Sequence, residues 1–266
     1  MFEFFLGLIL LGIFAGLLSG FFGIGSGVIL VPAFVFLFNL LDFPSEIIPI
    51  LATGTSMTTM AITIPMASYI HYKNKNVNLD MVKKMFWMGF IMTFSGRYIA
   101  LFIQSSTLQI IIAVSLILAA IQIAFNFSPK SQNRETSTIE LVIVSGIIGL
   151  ITSFVGIGGG ILLIPYFKYR GLSIHEAIGT SSLMGLAFAT SGALGALLFA
   201  PIEAIEINGL FNSAYIPAVL ITGLTSVYFA RLGANLSART ESNNLRFAFS
   251  ILVILAALRV FYITFL

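Results

Sequence analysis

GLLSGFFGIGSGVILVPAF, residues 16–34, returns 133 positions later as GLITSFVGIGGGILLIPYF, residues 149–167, with ten of the nineteen positions identical. The shared residues include Gly23, Gly25 and Gly27, matched by Gly156, Gly158 and Gly160, and the following Pro32 and Pro165. Neither copy contains a charged residue. A glycine inside a helix costs about 1 kcal/mol relative to alanine, so three or four together interrupt it. Each copy therefore predicts a helix that breaks at its glycines and starts afresh, near Val28 in the first copy and near Ile161 in the second.

The surroundings of these breaks place them in a membrane. Of the 266 residues, 58% are hydrophobic and 9% charged, and the mean hydropathy is +1.06. A soluble domain carries about 25% charged residues, so this chain cannot cover its surface for water. Residues 4–41, 47–70, 98–129 and 141–167 contain no Asp, Glu, Lys or Arg. A spanning helix needs roughly 20 apolar residues. The fold class is an all-α polytopic membrane protein; an outer-membrane barrel would show two-residue alternation instead. Met1-Phe2-Glu3 lacks the basic start of a cleaved signal, so the first apolar stretch is expected to stay. Cysteine is absent, which removes disulfides, thiol nucleophiles and thiolate metal sites.

The likeness extends beyond the glycines. A first unit at 4–42 holds one break, and spans follow at 47–70, 85–103 and 108–127, with a polar loop at 71–84. The second half holds its break at 139–167 and spans at 177–199, 209–230 and 244–265. TGTSM, from Thr53, returns as IGTSS from Ile178, Gly96-Arg97 as Ala230-Arg231, and ILAA from Ile117 again from Ile254. The chain thus divides into a first repeat at 1–127, a polar linker at 128–138 and a second repeat at 139–266, with about five membrane segments in each repeat.

Charge orients these segments. Apart from Arg97 and Arg259, every lysine and arginine falls in four places: Lys73, Lys75, Lys83 and Lys84; Lys130 and Arg134; Lys168 and Arg170; and Arg231, Arg239 and Arg246. The opposing loops hold Asp42, Glu46, Glu203 and Glu206 and no lysine. The basic loops are cytoplasmic by the positive-inside rule. Corresponding loops have opposite character: 71–84 is basic and its partner 200–208 acidic, while 38–46 is acidic and its partner 168–176 basic. The repeats are therefore expected to have inverted topology, with both termini outside. Inverted repeats place a transporter's site near the midplane, at their interface.

Candidate chemistry begins at the breaks. A helix start exposes free N–H groups and the positive end of its dipole, and glycine lets a ligand approach the backbone. Two such starts would cradle an oxyanion without any charged side chain. The residues expected there are Gly23, Gly25, Ser26 and Gly27 from the first repeat and Gly156, Gly158, Gly159 and Gly160 from the second. The competing reading is close packing of helices through small residues. The hydroxyls of Thr55, Ser56, Thr180 and Ser181 stand beside this site in the expected arrangement, although such hydroxyls also bond back to their own helix. Arg97 is placed inside a span, where it would attract an anion or snorkel outward. Arg231 and Arg259 are expected as interfacial residues, as are His71 and His175. Tyr69, Tyr72, Trp87, Tyr166 and Tyr169 suit aromatic belts. Glu140 lies near a cytoplasmic boundary, and no intramembrane carboxylate is evident for proton coupling.

With these motifs in place, the chain resembles the TauE/SafE family of sulfite and organosulfonate exporters, also called the TSUP family. The carriers of the resemblance are the paired glycine segments with Pro32 and Pro165, the GTS clusters, and the Gly/Ala-Arg positions. The resemblance spans essentially the whole chain and implies a multi-pass carrier of the cytoplasmic membrane for small sulfur-containing anions, working as an exporter. Ser26 stands where the second copy has Gly159, which changes the shape of one helix start. An anion channel, or an importer of a related oxyanion, remains the alternative. A membrane enzyme would need a clustered acid, base, nucleophile or metal set within the spans, and none is present. No cofactor, metal or nucleic acid is implied. The expected partners are a small anion and the lipid bilayer, with self-association left open.

Overall fold

The computed structural model describes residues 2–22, 25–125, 136–199, 207–237 and 243–265. Among these residues the chain forms ten helices: α1 Phe2–Phe22, α2 Gly27–Leu40, α3 Ile48–Lys73, α4 Leu79–Ala100, α5 Ser105–Phe125, α6 Thr138–Val155, α7 Gly160–Tyr169, α8 Ile174–Leu198, α9 Ile216–Ser237 and α10 Asn243–Phe265. Strands β1, Leu210–Phe211, and β2, Ala214–Tyr215, pair antiparallel in a small hairpin. Six helices are long and apolar enough to cross a membrane: α1, α3, α5, α6, α8 and α9.

Both glycine runs interrupt the helix. In the second, Gly156, Gly158 and Gly159 take positive φ values of 74°, 77° and 72°, a region that costs other residues about 1–2 kcal/mol. In the first, Gly25 has φ 82°; Gly23 and Ile24 lie outside the described residues. The helices that follow begin at Gly27 and Gly160, one residue before the expected starts. At 1.5 Å per residue, the 14-residue α2 is about 21 Å long and the 10-residue α7 about 15 Å. Neither spans a hydrocarbon core of about 30 Å, so each is a half-helix.

Helix packing exchanges the two halves of the chain. α1 lies against α9, and α6 against α4. Gly12, Gly16 and Gly20 of α1 meet Thr222, Ser226 and Ala230 in rising order, so α1 and α9 run parallel. Gly149 meets Gly89, and Gly96 meets Ser153, giving the same parallel match between α6 and α4. Small residues allow this close approach, so the packing reading holds for Gly16 and Gly149. The central pair is α3 with α8. Met57 touches Gly192, Ile64 touches Gly185 and Ser68 bonds to Ser182, so these two run antiparallel. α5 packs on α10, and Val114, Leu118, Leu252 and Leu255 face outward as a lipid-facing band.

Three expectations shift. The polar loop shrinks to 74–78, because α3 runs through Lys73 and α4 starts at Leu79. Asn78 caps α4 by accepting from the Met81 N–H at 3.1 Å, and Lys83 and Lys84 lie exposed on its first turns. Lysine stems can lie along apolar surface while their charges reach water, so basic residues here do not mark a loop. The span expected from residue 209 begins instead at Ile216, because Gly209 and Asn212, with φ 86° and 49°, turn the chain into the β hairpin. His71, expected at an interface, is 4% exposed. Most of the linker at 128–138 lies outside the described residues.

Candidate functional site

The two glycine breaks meet backbone to backbone. A Cβ on Gly25 would stand 3.2 Å from the Ile157 carbonyl oxygen and 3.6 Å from Gly158 Cα, and one on Gly27 would run into the Gly156 carbonyl. Met60 lies over the junction, its sulfur 3.5 Å and 3.2 Å from the Cβ positions of Gly25 and Gly158. Ser56 Oγ donates to the Gly156 carbonyl at 2.9 Å, tying α3 to the second break.

A small cavity opens beside this junction. Gly25, Gly158 and Gly185 give it a backbone wall, Ser19, Ser181 and Ser182 bring hydroxyl groups, and Ile64 and Ala67 form its apolar side. Its free space is about 230 Å3, including the part open to solvent. The GTS segments differ on the two sides of the junction. Aligning TGTSM with IGTSS pairs Met57 with Ser182 and Met60 with Gly185. Where the second repeat has small residues and a cavity, the first has two fully buried methionines.

Gly25 and Gly158 of this wall lie two residues ahead of the half-helix starts at Gly27 and Gly160. The first intrahelical bonds run from Ile29 N–H to Ser26 O at 3.0 Å and from Leu162 N–H to Gly159 O at 3.1 Å. The preceding N–H groups, of Gly27 and Val28 and of Gly160 and Ile161, have no carbonyl within their own helix to bond. Each start carries the equivalent of about half a positive charge. The Ser26 hydroxyl and the Thr152 hydroxyl are buried next to the breaks without a hydrogen-bond partner. Buried polar groups rarely go unpaired, so this junction has hydrogen-bonding capacity left for a guest.

Of the residues expected at the site, Gly25, Gly158 and Ser181 line the cavity. Ser26, Gly27, Gly156, Gly159 and Gly160 build the adjoining helix starts, and Gly23 lies outside the described residues. Thr55 and Thr180 do other work. Thr55 Oγ1 accepts from the Tyr215 N–H at 3.0 Å, and Thr180 Oγ1 accepts from the Asn78 N–H at 2.9 Å. In each repeat the GTS threonine holds the turn that precedes a helix of the other repeat. Gly54 and Gly179 permit the approach, since a Cβ there would strike the Ser213 and Asn76 carbonyls. Ser19, Gly185 and Met60 were missed, while Ser182 belongs to the recurring hydroxyl cluster with Thr180 and Ser181. Ser19 lies within the duplicated stretch, paired with Thr152; Gly185 and Met60 give no chemical signal.

Arg97 is 1% exposed. Its Nη1 donates to Thr53 Oγ1 at 2.8 Å and to the Ser153 carbonyl at 3.4 Å, and its Nη2 to the Ile50 carbonyl at 3.2 Å, while Nε has no partner. Every acceptor is neutral. Among the described residues the ion pair is Arg170 with Glu140, joining the outer ends of α7 and α6, with Tyr166 donating to the same carboxylate at 2.9 Å. Arg231 is exposed. Arg259 lies 5.6 Å from the Phe36 ring centroid.

An all-helical, multi-pass arrangement with two broken helices converging on an interior cavity defines a membrane transport protein rather than an enzyme. The chain's residues 8–260 match the family model for the sulfite exporter TauE/SafE. It is 29% identical to a probable membrane transporter protein of Haemophilus influenzae, across 98% of this chain and 99% of that protein. It is 30% identical to a probable membrane transporter protein of Methanocaldococcus jannaschii, across 91% and 90% of the two chains. A probable membrane transporter of Bacillus subtilis is 20% identical over 96% of each. The chain belongs to the TauE/SafE family.

Proposed function

We propose that this transporter exports small sulfur-containing anions such as sulfite, thiosulfate or organosulfonates across the cytoplasmic membrane. The anion binds between the half-helix starts at Gly25–Gly27 and Gly158–Gly160, beside the Ser19, Ser181 and Ser182 hydroxyls. The observation that carries this reading is that both glycine breaks, each two residues ahead of a helix start, line one interior cavity that no carboxylate lines. Anions favour such a place.

The repeats, 1–127 and 139–266, are proposed to be inverted about this site, with both termini outside. The antiparallel run of α3 against α8, which occupy matching positions in their repeats, supports that arrangement. Rocking of one repeat against the other would then expose the site alternately. The backbone contact between the breaks fits a carrier that separates them, and is at odds with an open pore. The membrane potential favours export, because an anion leaving a negative interior gains about 2.3 kcal/mol per net charge per 100 mV.

The test is calorimetry on purified protein with sulfite, thiosulfate, an organosulfonate, sulfate and a carboxylate, followed by flux from proteoliposomes. Saturable binding of the sulfur anions and flux that grows with an inside-negative potential are expected. Preference for the carboxylate would overturn the substrate class, and thiosulfate flux indifferent to potential would overturn export driven by the potential.

A further inference from the structure

We propose that His71 is a proton-binding residue of this cavity, and that proton and anion bind there together. The proposal rests on the anion site described above. Ala67 lines the cavity from α3, and His71 lies four residues further, on the same face of that helix. Ser19 lines the cavity from α1, and the backbone of the next residue, Gly20, hydrogen-bonds the His71 ring. The imidazole is thus clasped between the two elements that form one side of the cavity. It is 4% exposed, and its Nε2 is buried without a partner.

The chemistry follows from the tautomer. A neutral imidazole has one N–H and one bare nitrogen. We assign the N–H to Nδ1, towards the Gly20 backbone, because Nε2 is buried without a partner; Nε2 is then the bare nitrogen and the place where a proton adds. Once protonated, Nε2–H becomes a donor and the ring a cation. The residues that line the cavity carry no charge, so the imidazolium would be its charged donor for an arriving oxyanion. The proton comes from water and returns to it when the anion leaves; no other bond changes. Binding of each partner then strengthens binding of the other by the same factor.

The neighbouring titratable groups leave this role to His71. His175, partly exposed at the start of α8, interacts with it electrostatically. Glu176 on α8 is exposed and caps its own helix through the Ser173 N–H. On α9, Tyr228 and Arg231 are exposed, and on α6 Glu140 is held by Arg170 and Tyr166. Tyr215 sits at the opposite end of α3, beside Thr55. On α3 itself Tyr69, Tyr72 and Lys73 are exposed. α1, α2 and α5 contribute no titratable side chain from Phe4 to Phe22, Gly27 to Leu40 or Ser105 to Phe125.

Thiosulfate and methanesulfonate stay fully ionised between pH 5 and 8, so the pH dependence of their affinity reports the protein alone. Across that window wild-type affinity is expected to fall by up to about tenfold per pH unit as pH rises. His71→Gln should bind with a flat profile, and His175→Gln should keep the wild-type slope. A wild-type slope in His71→Gln overturns the proposal. If that variant does not fold, nitrogen NMR of histidine-labelled wild type decides. Saturation with thiosulfate should convert the His71 ring to the imidazolium, and a ring that stays neutral overturns the proposal. Absence of anion binding at every pH would instead remove the site on which it rests.

Discussion

Arg97 presents the sharpest problem at the level of one residue. A charged group at the bilayer centre costs several kcal/mol, and Arg97 bonds only neutral oxygens. A unit charge acting across about 10 Å at an effective dielectric of about 20 is worth about 1.7 kcal/mol, enough to favour a nearby anion more than tenfold. Arg97→Gln is therefore expected to weaken thiosulfate binding about tenfold, while Arg97→Lys keeps most of it. Calorimetry reads the affinity, and the thermal midpoint in detergent shows whether the fold survives. Equal affinity in Arg97→Gln would make the guanidinium a strut joining α3, α4 and α6. Its sequence position marked it as intramembrane, yet Arg231 sits at the matching place and is exposed. The difference lies in what each packs against. Gly195 leaves room for Arg97, with its Cβ position 2.7 Å from the arginine Cβ. In the first repeat the position matching Gly195 is Ile70, which carries a branched side chain where Gly195 has none. Burial of one arginine and not the other depends on a distant partner, so no local pattern reveals it.

At the scale of an element, the glycines separate into those that turn and those that pack. Density along the chain disclosed both breaks, because clustered glycines are costly in any helix. It did not disclose that Gly12, Gly16 and Gly20 seat α1 on α9, since a packing glycine and a turning glycine read alike until φ and neighbours are known. The hydroxyl clusters were legible as a recurring motif but not as a clasp, because the backbone N–H groups they accept from lie about 100 or more residues away. The distinction is measurable. Gly7 has nothing within 4 Å of a built Cβ, so Gly7→Ala should stabilise α1 by up to about 1 kcal/mol. Gly158, at φ 77° and 3.2 Å from the Met60 sulfur, should lose about 1–2 kcal/mol on replacement by alanine. Thermal midpoints moving in opposite directions would bear this out. A Gly158→Ala midpoint at or above the wild-type value would mean the break relaxes without strain.

At the scale of the whole molecule, inversion was read from loop charge and is testable without any substrate. Charge carries that information because lysine and arginine are retained on the cytoplasmic side, a rule that acts on short loops and leaves its mark in the sequence. The antiparallel run of α3 and α8 is compatible with that proposal, and it was out of reach of the sequence because helix pairing depends on contacts more than 100 residues apart. The chain has no cysteine, so a single engineered thiol reports its own side of the membrane. Glu46 and Glu176, the latter on the first turn of α8, are exposed in the corresponding stretches 38–46 and 168–176, and Asn74 and Asn208 form a second exposed pair. In intact cells, an impermeant maleimide should label Glu46→Cys and Asn208→Cys. It should reach Asn74→Cys and Glu176→Cys only after permeabilisation. Labelling of Glu46→Cys and Glu176→Cys from one side would place the repeats in the same orientation. Both half-helices would then enter from a single leaflet, and their starts could not face one another across an anion.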